Sequence, residues 1–154
     1  REHTPFKQNA FGDAVSSGRA INDAVTSAIC HGMTSRFPNV KLASVENGGS
    51  WAIPCLKELE KTYRKMPGAF TEHPRECFLR NLWINPFWED SIEDLVRLMT
   101  PERILFGSDY PHPEGMSEPI HWAKEIGDLF PASDVRKMMG ENAYQLLGLT
   151  PPGS

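Results

Sequence analysis

The residues best suited to chemistry lie in the segment 106–112, which reads FGSDYPH. Its acidic residue, Asp109, ends a short apolar run at 103–108 that is typical of a buried strand, and a polar, proline-rich loop follows. A carboxylate at the carboxyl end of a buried parallel strand points into the crevice where α/β proteins bind ligands. Such a group can ligate Zn²⁺ and can accept a proton from a water whose pKa the ion lowers to about 7. Asp109 is therefore the candidate metal ligand and a candidate catalytic residue. The same spacing also fits a structural arrangement in which Asp109 caps a turn and His112 packs on Pro111.

A second carboxylate follows an earlier apolar segment. Residues 40–45 (VKLASV) lie between a proline and a glycine pair and are predicted to form a buried strand, with Glu46 and Asn47 at its exit. A buried carboxylate near a metal can act as a general acid/base when desolvation raises its pKa, or it can pair with an arginine as a structural element. We predict a catalytic role for Glu46 and a substrate-binding role for Asn47.

The elements that would position these residues alternate between strand and helix. Apolar residues at helical spacing, together with cap and breaker residues, give the order helix, strand, helix, strand, helix, strand, helix, helix. The predicted segments are a helix from Ile21 to near Arg36, the strand 40–45, a helix from Trp51 to about Lys65 capped by Ser50, a strand at 79–85, a helix opened by Ser91, the strand 103–108, a helix after Pro119, and a last helix capped by Ser133 and stopped by Gly148. This order predicts a right-handed, mainly parallel sheet, but does not separate a small open domain from part of a closed barrel.

Composition restricts the class of protein. A complete (β/α)8 barrel needs about 250 residues, or around 200 at the least, whereas this chain of 154 residues has the length of one domain, with residues 1–20 predicted as loop and 150–154 as a frayed tail. The net charge is −4 without a block of like charges, which argues against a nucleic-acid partner, and we find no membrane-spanning apolar run. Three scattered cysteines are typical of free thiols, so we expect a cytoplasmic location.

Three segments resemble the amidohydrolase-related enzymes of the aminocarboxymuconate-semialdehyde-decarboxylase type. Residues 36–42 (RFPNVKL) resemble the entry to barrel strand six of that family, residues 104–112 (ILFGSDYPH) its strand eight, and residues 138–149 (MMGENAYQLLGL) its closing helix. The resemblance implies the C-terminal portion of a (β/α)8 barrel, about strands six to eight, forming one partial domain over 1–154. It also implies a metal-dependent hydrolase or decarboxylase that acts on a small carboxylic or cyclic substrate through a metal-activated water, with Asp109 as the strand-eight metal ligand.

The sequence departs from the family pattern at two places. The family uses a His-x-His pair on strand one and a histidine after strand five, but this chain contains no His-x-His, and His3 is its only histidine early enough for the strand-five position. The divalent metal, expected to be Zn²⁺, would therefore have an incomplete site in this chain. At the end of strand six the family commonly has a catalytic histidine followed by two glycines, and here Glu46 occupies that place.

Other side chains are weaker candidates. His112, Trp51 and Arg80 are predicted to bind substrate, Arg80 through a substrate carboxylate, although a tryptophan near a barrel's strand ends is more often a core residue. His31, His73 and His121 have no metal-ligand spacing with one another, and we expect His73 in a solvated loop.

A rival hypothesis is a truncated, catalytically inactive half-barrel that self-associates. Open parallel strand edges and an uncovered barrel interior are costly in water, so such a chain is expected to form a homo-oligomer. Under either hypothesis we expect this chain alone to be inactive, with a small-molecule substrate in the complete enzyme.

Overall fold

The computed structural model describes residues 18–112 and 115–151; the predicted loop up to residue 17 and the tail from 152 lie outside these ranges. Short strands alternate with longer helices in this part of the chain. The elements are α1 (Arg19–Cys30), α2 (Met33–Arg36), β1 (Leu42–Ser44), α3 (Ala52–Lys65), α4 (Pro74–Asn81), β2 (Leu82–Ile84), α5 (Ile92–Met99), α6 (Ile120–Gly127), α7 (Ala132–Arg136) and α8 (Asn142–Leu147), with 3-10 turns at Pro67–Ala69 and Pro101–Arg103 and a π-helical turn, Lys137–Glu141, between α7 and α8.

The sheet is parallel, as predicted. β1 pairs with β2 in the register Leu42↔Leu82, Ala43↔Trp83 and Ser44↔Ile84. The third predicted strand is reduced to a bridge between Ile84 and Ile104, extended by the Leu105 amide, which donates to the Ile84 carbonyl at 2.8 Å. The carboxyl ends of all three segments therefore open at the same edge of the sheet.

The predicted strand at 79–85 is wrong in its first half, because α4 runs through Asn81. His73 caps this helix, its Nδ1 accepting from the Arg75 amide at 3.2 Å, and Pro74 occupies the first helical position, where a missing N–H costs nothing. His73 lies outside regular secondary structure, as predicted, but it is not fully solvated, because its half-buried ring packs edge-on against Tyr63.

The structure contains one of the three serine helix caps predicted from the sequence. Ser91 caps α5, accepting from the Asp94 amide at 3.4 Å, as predicted. Neither Ser50 nor Ser133 caps its helix, because α3 begins after Trp51 and α7 begins after Pro131. The first predicted helix is interrupted at Gly32, whose φ of 70° lies in the left-handed region.

Helices cover one face of the sheet. Ile84 and Ile104 are completely buried against the helical layer, which contributes the buried side chains of α3, α4 and α5 among others: Leu56, Phe78, Leu95 and Met99. Removing apolar surface from water in this way supplies roughly 25 cal/mol per Å². The edge of the sheet therefore rests on a packed core.

Two buried asparagines fix where strands begin. Asn81 Nδ2 donates to the carbonyls of Pro38 and Val40 at 3.1 and 2.6 Å, just ahead of β1. Asn142 Nδ2 donates to the carbonyls of Pro101 and Ile104, both at 2.7 Å, at the start of the third strand segment. Buried backbone carbonyls need such partners, and these bonds set how far each strand reaches toward the edge. No helix in the described ranges is both long and apolar enough to cross a bilayer.

Candidate metal centre

Three possible metal ligands converge at the carboxyl edge of the sheet. Glu46 follows β1, while Asp109 and His112 follow the third strand segment, and one ligand atom from each lies within 4.8 Å of the others. His112 Nδ1 and Asp109 Oδ2 are 3.9 Å apart. Asp109 is half-buried, whereas Glu46 and His112 are exposed. The edge thus gathers two carboxylates and an imidazole from sequence positions more than sixty residues apart.

The backbone at this cluster is unusual. Glu46 and Asp109 have φ values of 63° and 62°, in the left-handed region, and Thr100 is the other non-glycine residue with positive φ in the described part of the chain. Side chains held in this region cost of order 1–3 kcal/mol, and such strain concentrates at functional sites. Glu46 and Asp109 therefore have backbone conformations that residues of a regular strand do not adopt.

Backbone hydrogen bonds hold the loop that carries Asp109 and His112. The His112 amide donates to the Asp109 carbonyl at 2.8 Å, and the Met116 amide donates to the Ser108 carbonyl at 2.9 Å and closes the base of the loop. A Cβ on Gly115 would lie 2.8 Å from the Asp109 carbonyl oxygen, so the return of the chain requires glycine. These bonds hold the backbone from which Asp109 and His112 extend.

A cavity of about 740 Å³ opens beside the cluster. Its lining comes from all three strand ends, and its aromatic walls, Phe87, Trp88 and Tyr110, are exposed. The remaining lining residues are Val45, Glu46, Asn85, Pro86, Glu89, Gly107, Ser108, Asp109, Pro111, His112 and Met116. This volume is within the range of small-molecule sites.

Asn85 is a lining residue that sequence reasoning missed. It follows β2 as Glu46 follows β1, and its Nδ2 donates to the Leu105 carbonyl at 3.4 Å. A Cβ on Gly107 would lie 3.0 Å from Asn85 Oδ1, so Gly107 provides the space for this side chain. The signal was present, because the position after each strand was already a candidate, but the misplaced strand at 79–85 included Asn85.

Two predicted substrate-binding residues lie outside this cavity lining. Trp51 is buried in the core, where its Nε1 donates to the Gly48 carbonyl at 2.9 Å and its ring lies 6.3 Å from that of Phe78. The alternative that placed this tryptophan in the core matches its surroundings. Asn47, although next to Glu46, donates from Nδ2 to the Val45 carbonyl at 2.6 Å and is also outside the lining.

Arg80 is engaged elsewhere, in a two-pronged ion pair with Glu72. Its Nη1 and Nη2 each lie 2.8 Å from a Glu72 oxygen, and Nη2 also donates to the Thr34 carbonyl at 3.0 Å. The hydrogen bonds from Arg80 lower the pKa of Glu72 to about 2, and the same bonds raise the pKa of Arg80. This pairing takes the place of the predicted contact with a substrate carboxylate. The histidine considered at position 3, His3, lies outside the described residues.

The cluster fits a divalent cation. Carboxylate and imidazole are ligand types that Zn²⁺ takes in proteins, and Glu46, Asp109 and His112 supply two of the first and one of the second. All three side chains line the same cavity, so a cation held there would face the space open to a small molecule.

The profile of the Amidohydrolase family matches residues 3–149. This chain belongs to that family. The resemblance found in the sequence is thereby confirmed.

Individual amidohydrolase relatives agree with this assignment. The chain is 29% identical over 140 residues to a 2-amino-3-carboxymuconate-6-semialdehyde decarboxylase from Dictyostelium discoideum, covering 83% of this chain and 36% of the relative. The crystal structure of an amidohydrolase from Mycobacterium avium subsp. paratuberculosis K-10 superposes with a TM-score of 0.87 at 38% identity, over 92% of this chain and 36% of that one. A 5-carboxyvanillate decarboxylase from Sphingomonas paucimobilis shares the fold, with a TM-score of 0.70 at 23% identity, over 86% of this chain and 41% of its own.

The chain therefore spans little more than a third of the length of these relatives. Its helix-rich arrangement with few strands is a fragment of a TIM-barrel-like fold, which confirms the predicted fold class at that level.

Proposed function

We propose that the full-length protein is a metal-dependent decarboxylase or hydrolase of a small carboxylic or cyclic substrate. The observation that carries the proposal is the convergence of Glu46, Asp109 and His112 at the carboxyl edge of a parallel sheet, beside an open cavity. Decarboxylation is one candidate reaction, because the curated relative is named a decarboxylase, and hydrolysis is the other, because the 38% identical structure is named an amidohydrolase.

Within this site we assign Asp109, Glu46 and His112 to hold a divalent cation, with Zn²⁺ as the expected ion. A cation bound there would activate water or polarise the substrate carboxylate. Glu46 is the more exposed carboxylate, and we assign it to carry a proton at its Oε atoms to or from the reacting carbon. His112 Nδ1, 3.9 Å from Asp109 Oδ2, would orient that carboxylate.

The cavity walls indicate the kind of substrate. Phe87, Trp88 and Tyr110 present ring surface to the cavity, and Asn85 and Ser108 add polar groups near the strand ends. Flat apolar walls with a few polar groups suit a small cyclic or unsaturated acid. None of the described lining residues is a lysine or arginine, so we expect the substrate carboxylate to be bound at the cation or by parts of the protein outside this chain.

We further propose that residues 1–154 form the C-terminal part of the barrel, about strands six to eight, as one partial domain. This is consistent with β1, β2 and the third strand segment lying in sequential parallel order. The histidine pair that the family places on strand one would then come from outside this chain, and the strand-five histidine from outside it or from His3.

Metal analysis of the full-length protein tests the proposal. After dialysis against buffer without metal, we expect close to one bound Zn²⁺ per protein, and we expect Asp109→Asn to lower the Zn²⁺ affinity more than about 100-fold, beyond the effect of an outer-shell change. Asp128→Asn, which alters an exposed carboxylate next to α6, is the control and should bind as the parent does. An active preparation without stoichiometric metal would contradict the proposal, and release of CO₂ from a panel of cyclic carboxylic acids would separate decarboxylation from hydrolysis.

A further inference from the structure

One carboxylate oxygen joins two loops at the edge of the metal centre. Asp90 Oδ2 accepts a hydrogen bond from the Gly49 amide at 2.7 Å and another from the Phe87 amide at 2.8 Å. The Asp90 amide also donates to the Phe87 carbonyl at 3.2 Å, which closes a tight turn over residues 87–90. Hydrogen bonds to a carboxylate are about twice as strong as neutral ones. Asp90 is half-buried and is not in the lining of the cavity.

The two loops approach each other closely at Gly48, and Gly49 lies against α5. A Cβ on Gly48 would lie 2.8 Å from Phe87 Cδ2 and 3.0 Å from Asp90 Oδ2, and Gly48 also has a φ of +62°. A Cβ on Gly49 would collide with Leu95 Cδ1. Because neither glycine carries a side chain, the Gly49 amide lies close enough to Asp90 to donate a hydrogen bond to it. The glycine pair after Glu46 therefore has a geometric reason in this structure.

This contact limits where Glu46 can lie. Glu46 is separated from β1 by Val45 alone and from the anchored Gly49 by two residues, and Trp51 Nε1 holds the Gly48 carbonyl from the core side. A segment tethered at both ends over so few residues has little freedom, which agrees with the left-handed φ of 63° at Glu46. The other loop carries Phe87 and Trp88, two walls of the cavity.

We propose that Asp90 is a positioning residue that sets Glu46 at the metal centre and holds the Phe87–Trp88 wall against it. The proposal rests on the proposed function, because it assigns Asp90 to a site that binds a cation. Partners that orient metal ligands typically change metal affinity 10–100-fold when removed, by the general rule for outer-shell groups.

Three Asp90 variants of the full-length protein test this, with Zn²⁺ alone as the probe. Asp90→Ala removes both hydrogen bonds, and we expect about 10-fold or more weaker Zn²⁺ binding in competition with a chromophoric chelator. Asp90→Asn keeps an oxygen that can accept both bonds and should restore most of the affinity. Asp90→Glu keeps the charge but displaces it by one methylene, so its affinity should fall although its charge is unchanged.

A metal-independent measurement accompanies the titration. Amide hydrogen exchange at Gly49 and Phe87 should accelerate in Asp90→Ala and return toward parent rates in Asp90→Asn. Glu93→Ala removes a nearby exposed carboxylate on α5 and should change neither measurement. A general loss of stability would accelerate exchange across the protein, whereas the proposal expects it at these two amides.

Each outcome decides between the two proposals. Zinc binding in the parent that Asp90→Ala leaves unchanged within about two-fold would overturn the positioning role and leave the metal centre standing. If Asp90→Ala does not fold, parent-like affinity in Asp90→Glu would have the same meaning. A parent that binds no Zn²⁺ overturns the metal centre, and with it the purpose of the contact, while exchange rates still decide whether Asp90 joins the loops.

Discussion

Two groups of charged side chains in this chain use similar residues in opposite ways. The pair of Glu72 and Arg80 joins unlike charges through two hydrogen bonds of 2.8 Å. The cluster of Glu46, Asp109 and His112 places two carboxylates near each other, and none of the described residues that line its cavity is lysine or arginine. The first group is an ion pair formed within the fold, whereas the second gathers the carboxylate and imidazole ligand types that Zn²⁺ takes in proteins.

The backbone conformation also differs between these two groups of side chains. Arg80 lies within the regular helix α4, where no conformational cost arises. Glu46 and Asp109 both occupy left-handed conformations after their strands. The paired arginine therefore lies on relaxed helical backbone, whereas both carboxylates of the cluster lie in conformations that cost of order 1–3 kcal/mol. Residue type alone does not distinguish these two groups of charges, whereas backbone conformation does.

Removal of Arg80 should have the largest effect on stability and no effect on the metal. Arg80→Ala leaves Glu72 without its partner and the Thr34 carbonyl without its donor, which should lower the free energy of unfolding by about 1–3 kcal/mol. Urea unfolding of the full-length protein measures this, and a Zn²⁺ titration should remain at the parent affinity.

Arg97→Ala is the control for this experiment, since Arg97 forms an exposed pair with Asp94 on α5, with the Arg97 side chain 75% exposed. Such pairs contribute about 0–1 kcal/mol. A drop in Zn²⁺ affinity in Arg80→Ala, at unchanged stability, would show that the two groups are not separate in function.

The parallel arrangement of the strands and the carboxylates at their carboxyl ends could be predicted from the sequence, because both depend on local patterns. Asp109 could be placed since a short apolar run, a glycine and a proline-rich loop mark a strand end without knowledge of the rest of the fold. The final helix could be ended at Gly148, whose φ of 69° is the left-handed cap that glycine permits.

What the sequence did not predict depends on contacts between distant segments. Arg80 is a candidate for a substrate carboxylate from sequence, whereas its partner Glu72 lies across the turn into α4, a contact that local patterns do not show. Asp90 was not singled out, because its role arises only when Gly49, forty-one residues earlier, approaches it. For Trp51 the sequence leaves a substrate pocket and the core as alternatives, and the structure places its ring in the core.

The Glu46→Gly variant tests whether the left-handed backbone conformation at Glu46 lowers the stability of the protein. Glu46→Gly removes a side chain from a left-handed conformation, so the metal-free protein should gain about 1 kcal/mol of stability, while Zn²⁺ affinity falls. Thermal unfolding in the presence of a chelator and a separate Zn²⁺ titration measure the two effects.

Thr100→Gly is the matched control, because Thr100 has φ 65° and ψ 158° at the end of α5, away from the cavity lining. That region is essentially limited to glycine, so this variant should also gain about 1 kcal/mol but keep the parent Zn²⁺ affinity. Loss of stability in Glu46→Gly beside a gain in Thr100→Gly would mean that the Glu46 side chain stabilises its own loop.

The smallest expected effect is on the decrease in the free energy of unfolding at acidic pH. Arg80 lowers the pKa of Glu72 to about 2 from its ordinary value of 4.5, and Lys137 lowers that of Glu102 to about 2 in the same way. A lowered carboxylate pKa contributes stability that is fully present above the unfolded value and is lost as the pH falls through the folded one. Glu72→Gln should therefore make the decline between pH 4.5 and 2 shallower, by about 1 kcal/mol or less because the pair is partly exposed. Glu102→Gln should do the same, and the double variant should add the two changes, since the pairs share no residue. Urea unfolding at a series of pH values measures how the free energy of unfolding changes with pH. If the Glu72→Gln curve runs parallel to that of the parent, the pair with Arg80 does not contribute to the loss of stability at acidic pH.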